Sequence, residues 1–109
     1  MGQFARGQVV LVRFPFSDLT GLKLRPALLL AEVEYGDVVL CQITSKTYGD
    51  RIAVTIEQSD LSQGTLPVTS YARPGRLLTA APALVVRAVA TVTEAKRQEI
   101  TAAIARMLQ

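Results

Sequence analysis

Between Gln8 and Val92 the chain sustains no helical spacing of apolar residues; it runs through short stretches rich in Val, Leu, Ile and Phe, broken by turn residues. Gln8 to Phe16, Ala27 to Val33, Val38 to Ile43 and Ile52 to Ile56 read as strands. Glu34-Tyr35-Gly36-Asp37 supplies the glycine of a tight turn, so the second and third runs should pair antiparallel, whereas a longer polar loop, Ser17 to Leu24, joins the first two. Shorter strand candidates lie at Val68 to Tyr71, Arg76 to Thr79 and Leu84 to Val92, with Arg73-Pro74-Gly75 as a turn between the first two and a one-turn helix near Ser59 to Ser62, ended by Gly64. The period changes once. From Thr93, a candidate N-cap, Ile100, Ala103, Ile104, Met107 and Leu108 recur at three-and-four spacing opposite Glu94, Arg97, Glu99 and Arg106. The expectation is a mostly β single domain over residues 1–109: a small, strongly bent antiparallel sheet or barrel with a C-terminal amphipathic helix.

Several runs are apolar at consecutive positions and not only at alternate ones, so their strands should be covered on both faces, by the helix or by a second copy of the chain; a homodimer is the expected assembly. With 50% hydrophobic and 19% charged residues there is ample material for such a core. The start, Met-Gly-Gln-Phe-Ala-Arg-Gly, has no apolar leader core, and runs such as Ala27 to Ala31 are too short to span a bilayer, so a soluble, cytoplasmic protein with no membrane partner is expected.

The chemistry is bounded by what is missing. The chain has no histidine, which removes an imidazole base, a Ser/His/Asp or Cys/His nucleophile pair and any His-ligated metal site. Its one cysteine, Cys41, can form neither an internal disulfide nor a zinc cluster, and in the run Val38-Val39-Leu40-Cys41 it reads as a small core residue. The work falls to Arg, Lys, Ser, Thr, Tyr and carboxylates. Twelve basic residues, nine of them Arg, against nine acidic ones leave a net charge of +3, compatible with a polyanionic partner. An Arg-rich, Ala-rich chain also follows from GC-rich coding.

Four stretches together resemble the PemK/MazF family of toxins from bacterial type II toxin-antitoxin modules: Gly7-Gln8-Val9-Val10-Leu11-Val12-Arg13-Phe14-Pro15-Phe16-Ser17-Asp18-Leu19, then Arg25-Pro26-Ala27-Leu28-Leu29-Leu30, then Cys41-Gln42-Ile43-Thr44-Ser45-Lys46, and last Ser70-Tyr71-Ala72-Arg73-Pro74. The resemblance runs from Gly7 to the last helix. It implies an SH3-like barrel, usually a homodimer, acting as a metal-independent endoribonuclease on single-stranded RNA, needing no cofactor and occluded by a cognate antitoxin. The family's catalytic arginine matches Arg25 and its catalytic threonine matches Thr44. RNA brings its own nucleophile, the 2′-hydroxyl, so a guanidinium and a hydroxyl that orient the phosphate and take up its growing charge suffice in principle.

Phe16, Ser17, Asp18, Lys23, Ser45, Lys46, Arg73 and Arg76 are candidate substrate-binding residues: Phe16 for stacking on a base, the cations for backbone phosphates. Each has a plain alternative. Arg25 alone reads as a solvated strand-end charge, Thr44 as a β-branched strand residue, Ser45 and Lys46 as a turn, Phe14 as hairpin packing and the other cations as a wet face. Some family members carry an acidic residue shortly before the Arg-Pro and another in the segment matching Tyr71 to Arg76. Here those segments read Thr20-Gly21-Leu22-Lys23-Leu24 and include Arg73 and Arg76. Two other functions fit a barrel of this kind: a protein-binding toxin resembling the CcdB-type gyrase poisons, although this chain ends Arg106-Met107-Leu108-Gln109 without their terminal tryptophan, and a non-catalytic RNA-binding module.

Overall fold

A computed structural model describes residues 4–15 and 22–109. Among these residues seven strands, β1 (Gln8–Pro15), β2 (Leu22–Glu32), β3 (Val38–Thr44), β4 (Val54–Ile56), β5 (Leu61–Gly64), β6 (Ser70–Ala80) and β7 (Val85–Val92), precede one α-helix, α1 (Glu94–Met107). They form a single antiparallel sheet in the order β4-β6-β3-β2-β1-β7-β5, which curls into a half-barrel of SH3-like type.

The consecutive apolar residues are explained by two cores, one on each face of the central strands. Val9, Leu28, Cys41 and Ile43 point to the face covered by Ile100 and Ala103 of α1, while Val10, Val12, Ala27, Leu29, Val38 and Leu40 form a second cluster on the opposite face with Ala80 and Val85. Neighbouring residues on a strand alternate between these faces, as the pleat demands. One chain therefore covers both faces of β1, β2 and β3. The apolar runs need no second copy, and the expectation of a homodimer rests on the family resemblance.

α1 starts where its cap predicts: the Thr93 hydroxyl accepts the Lys96 amide at 3.2 Å. Ile100 and Ala103 are buried, and Leu108, at the end of the stripe, is exposed. Among the described residues no helix is long and apolar enough to cross a membrane. Cys41 is a core residue as expected; its thiol donates to the Arg73 carbonyl at 3.2 Å, and burial pushes its pKa up to about 12.

Three expectations are corrected. The short helix is a 3-10 turn at Gln58–Asp60, one residue earlier than its expected start at Ser59, and Ser62 and Gly64 belong to β5. Leu22 to Leu24 extend β2 and are not loop. Arg73-Pro74-Gly75 does not separate two strands: β6 runs unbroken from Ser70 to Ala80, with the three residues on a bulge.

Gly64 is the tightest glycine among the described residues. Its φ is +74°, and a Cβ there would lie 2.2 Å from the Val89 carbonyl oxygen and 2.7 Å from Ala90 Cα. Both objections are to backbone, which cannot swing aside. Gly64→Ala is expected to cost about 2 kcal/mol or more and lower the melting midpoint by about 10 °C, read by thermal denaturation. An unchanged midpoint would contradict the β5–β7 register.

Candidate active site at the arginine bulge

The site grows out of a mismatch between β3 and β6. Cys41 pairs with Leu77 and Ile43 with Ala72, so Gln42 alone stands opposite the four residues Arg73 to Arg76. A strand with surplus residues must bulge, and bulges re-aim side chains. Pro74, which has no amide to lose from the ladder, is fully buried and anchors the bulge; Arg73 is half-buried and Arg76 exposed. The Cys41 thiol ties down the carbonyl of Arg73 from below.

Strand register brings the other candidates to the same place. Ala27 lies across from Gln42 and Leu28 from Cys41; two residues further along this register Arg25 is level with Thr44. Thr44 itself pairs with Tyr71 of β6. Arg25, Gln42, Ile43, Thr44, Tyr48, Arg73 and Arg76 line one concavity of about 480 Å³. Arg25, Thr44, Arg73 and Arg76 are thus brought together. Lys23, Ser45 and Lys46 are exposed and do not line it. Phe16, Ser17 and Asp18 lie outside the described residues, as does the side chain of Phe14.

The hydroxyl of Thr44 is oriented by its own turn. Oγ1 accepts the Lys46 amide at 3.2 Å, which occupies a lone pair and leaves the hydroxyl hydrogen to donate elsewhere. Among the described residues no carboxylate lines the concavity, whose charge is set by three guanidinium groups. Nor does any cluster of three or more Cys, Asp or Glu among them have the spacing to hold a metal ion.

Asp50 and Tyr48 were not singled out from the sequence, and both act on Arg73. Asp50 Oδ2 accepts Arg73 Nε at 3.0 Å, Asp50 Oδ1 accepts the Ile52 amide at 3.1 Å, and the Arg73 guanidinium carbon sits 5.2 Å from the centre of the Tyr48 ring. The signal that could have found them is a repeated tripeptide: Tyr-Gly-Asp occurs at residues 35–37 and again at 48–50, closing the two ends of β3. The first copy reads as a turn on sight; the second is the same turn.

The Arg73 guanidinium holds the Asp50 carboxyl below its ordinary value of 3.8. A carboxylate whose pKa falls on folding stabilises the fold fully above its unfolded pKa and loses that contribution as pH drops through its folded one. Asp50→Asn should therefore cost about 1 kcal/mol at neutral pH, and the deficit should fade as the pH is lowered below about 4. Paired thermal melts across pH test this; a deficit independent of pH would show that charge is not the cause.

A half-barrel sheet closed by a C-terminal helix is the fold of bacterial toxins of known structure. The architecture is similar to an endoribonuclease in complex with its cognate antitoxin from a mycobacterial species (TM-score 0.71, 23% identity, covering 99% of this chain and 95% of that one). It is also similar to the Mycobacterium tuberculosis toxin MazF-mt6 (0.72, 16%, 93% and 95%) and to a MazE-MazF structure from Deinococcus radiodurans (0.75, 19%, 94% and 94%). No curated protein matches the sequence. The chain belongs to the PemK-like, MazF-like toxins of type II toxin-antitoxin systems, whose family model matches residues 5–108.

Proposed function

We propose that this toxin is an endoribonuclease that cuts single-stranded RNA without a metal ion, by attack of the substrate's own 2′-hydroxyl. The observation that carries the reading is the shared concavity of Arg25, Thr44, Arg73 and Arg76 in a chain that has no histidine. Arg25 grips two non-bridging phosphate oxygens at once and holds the phosphorus in line with the 2′-oxygen. Thr44 donates its hydroxyl hydrogen to the charge that develops on the phosphate. The 2′-oxygen gives up its proton and bonds to phosphorus, the bond to the 5′-oxygen breaks, and that oxygen takes a proton, leaving a 2′,3′-cyclic phosphate and a 5′-hydroxyl. Arg25 serves as the phosphate clamp and not as the base. Asp18 is the carboxylate of the first loop available to that role. Arg73 and Arg76 bind flanking phosphates.

The assembly we infer is a cytoplasmic homodimer held silent by a cognate antitoxin across the arginine concavity. Support for the antitoxin comes from relatives of the same fold, solved as an endoribonuclease with its cognate antitoxin and as MazE-MazF.

The test is incubation of the purified protein with long single-stranded RNA in EDTA. Wild type should cut; Arg25→Ala should cut about 100- to 1,000-fold more slowly at unchanged melting temperature, and Thr44→Val about tenfold more slowly. Deoxyribose at the cut position should abolish cleavage, because the nucleophile is gone. Intact RNA with wild type, or equal cutting by Arg25→Ala, overturns the reading; RNA that is bound but never cut would make the protein a binding module.

A further inference from the structure

We propose that Tyr48 is a nucleobase platform: its ring, pinned by Arg73, stacks a base of the single strand next to the phosphate held by Arg25. The proposal rests on the ribonuclease reading for its ligand class, single-stranded RNA, and names the residue that engages a base there.

Exposed tyrosines are common; one held this firmly is not. Thr47 to Asp50 form a tight turn closed by the Asp50 amide on the Thr47 carbonyl at 2.8 Å, with Tyr48 at φ 52° and Gly49 at φ 70°. A non-glycine residue is disfavoured in this left-handed region, so the backbone aims the side chain in a direction ordinary strand ends do not reach. Tyr48 is 66% exposed yet its ring does not hang loose, because the Arg73 guanidinium sits against it. That guanidinium is in turn fixed by Asp50, whose second oxygen is held by the Ile52 amide. The whole relay stands on the Pro74 anchor. A rigid aromatic surface is what an unstacked base needs, since each base carries a π-face and loses little on exchanging water for a ring already in place. Tyr48 also lines the concavity with Arg25 and Thr44, so a base on it shares that concavity with the phosphate they hold.

Tyr35 is the internal control. It occupies the same Tyr-Gly-Asp turn with φ 63° and is 93% exposed, but it lies at the other end of β3 and lines no part of the concavity. Turn geometry is common to both tyrosines; the cation and the concavity belong to Tyr48 alone among the two.

The experiment measures binding of a short single-stranded oligonucleotide with deoxyribose throughout, which cannot be cut, and of a series of the same strand with one base at a time removed. Wild type should lose about tenfold in affinity when one particular base is missing. Tyr48→Asn, chosen because asparagine accepts the left-handed turn, should bind the intact strand about tenfold more weakly and be indifferent to loss of that same base. Tyr48→Gly serves beside it should the asparagine variant not fold. Tyr48→Phe and Tyr35→Asn should behave as wild type. The proposal is overturned if the Tyr48 variants bind the intact strand as wild type does, if they remain as sensitive as wild type to every missing base, or if wild type does not bind the strand. A wild type that stacks a base but leaves RNA uncut overturns the ribonuclease reading alone, and one that cuts RNA just as fast and as tightly bound with Tyr48→Asn overturns the platform alone.

Discussion

The middles of β1, β2 and β3 are buried on both faces, and that constraint decides where this protein can do chemistry. Val9, Leu28 and Cys41 pack beneath the helix, while Val10, Leu29 and Leu40 pack on the opposite face. A charged side chain in the middle of these strands would have to give up its hydration with nothing to replace it. Polar function is thereby pushed to the exposed stretches that flank these buried middles and to the bulge between β3 and β6. Arg25 lies in the exposed first part of β2 and Thr44 at the end of β3; Arg73 and Arg76 lie on the bulge.

The bulge solves a second difficulty. Three arginines around one concavity repel each other, and long flexible side chains that must be ordered at the moment of binding lose affinity to entropy. Pro74 is locked in the core, the Cys41 thiol holds the Arg73 carbonyl, and Asp50 takes the inner edge of its guanidinium. Asp50 offsets one positive charge without lining the concavity itself, so the field that faces an incoming phosphate stays positive. The thiol contributes as a neutral donor: a group with a pKa near 12 does not ionise at neutral pH and adds no charge beneath the arginines.

How much of this could be read in advance follows from which interactions are local. The alternation of faces, the hairpin turn at Glu34 to Asp37 and the Thr93 cap are contacts between residues close in sequence, and each was legible. Arg25 and Thr44 were legible as candidates through the motifs of the resemblance, and Arg73 and Arg76 through their charge alone. Arg73-Pro74-Gly75 misled because proline and glycine side by side signal a turn, and only the pairing of Cys41 with Leu77 and Ile43 with Ala72 turns them into a bulge in a continuous strand. Asp50 and Tyr48 were missed because their partner is 23 and 25 positions away in sequence.

The order of residues by itself determined the two-sided burial, the single helix and the exclusion of imidazole chemistry, since these depend on side-chain type and on spacing along one strand or turn. Which residues share the concavity was decided by tertiary structure alone. Register between β3 and β6 is set by the simultaneous fit of two cores, and no local preference of Gln42 or of Arg73 to Arg76 states that one must face four. The same register delivers Arg73 to Asp50 and Tyr48, turning scattered charges and an exposed ring into one rigid surface.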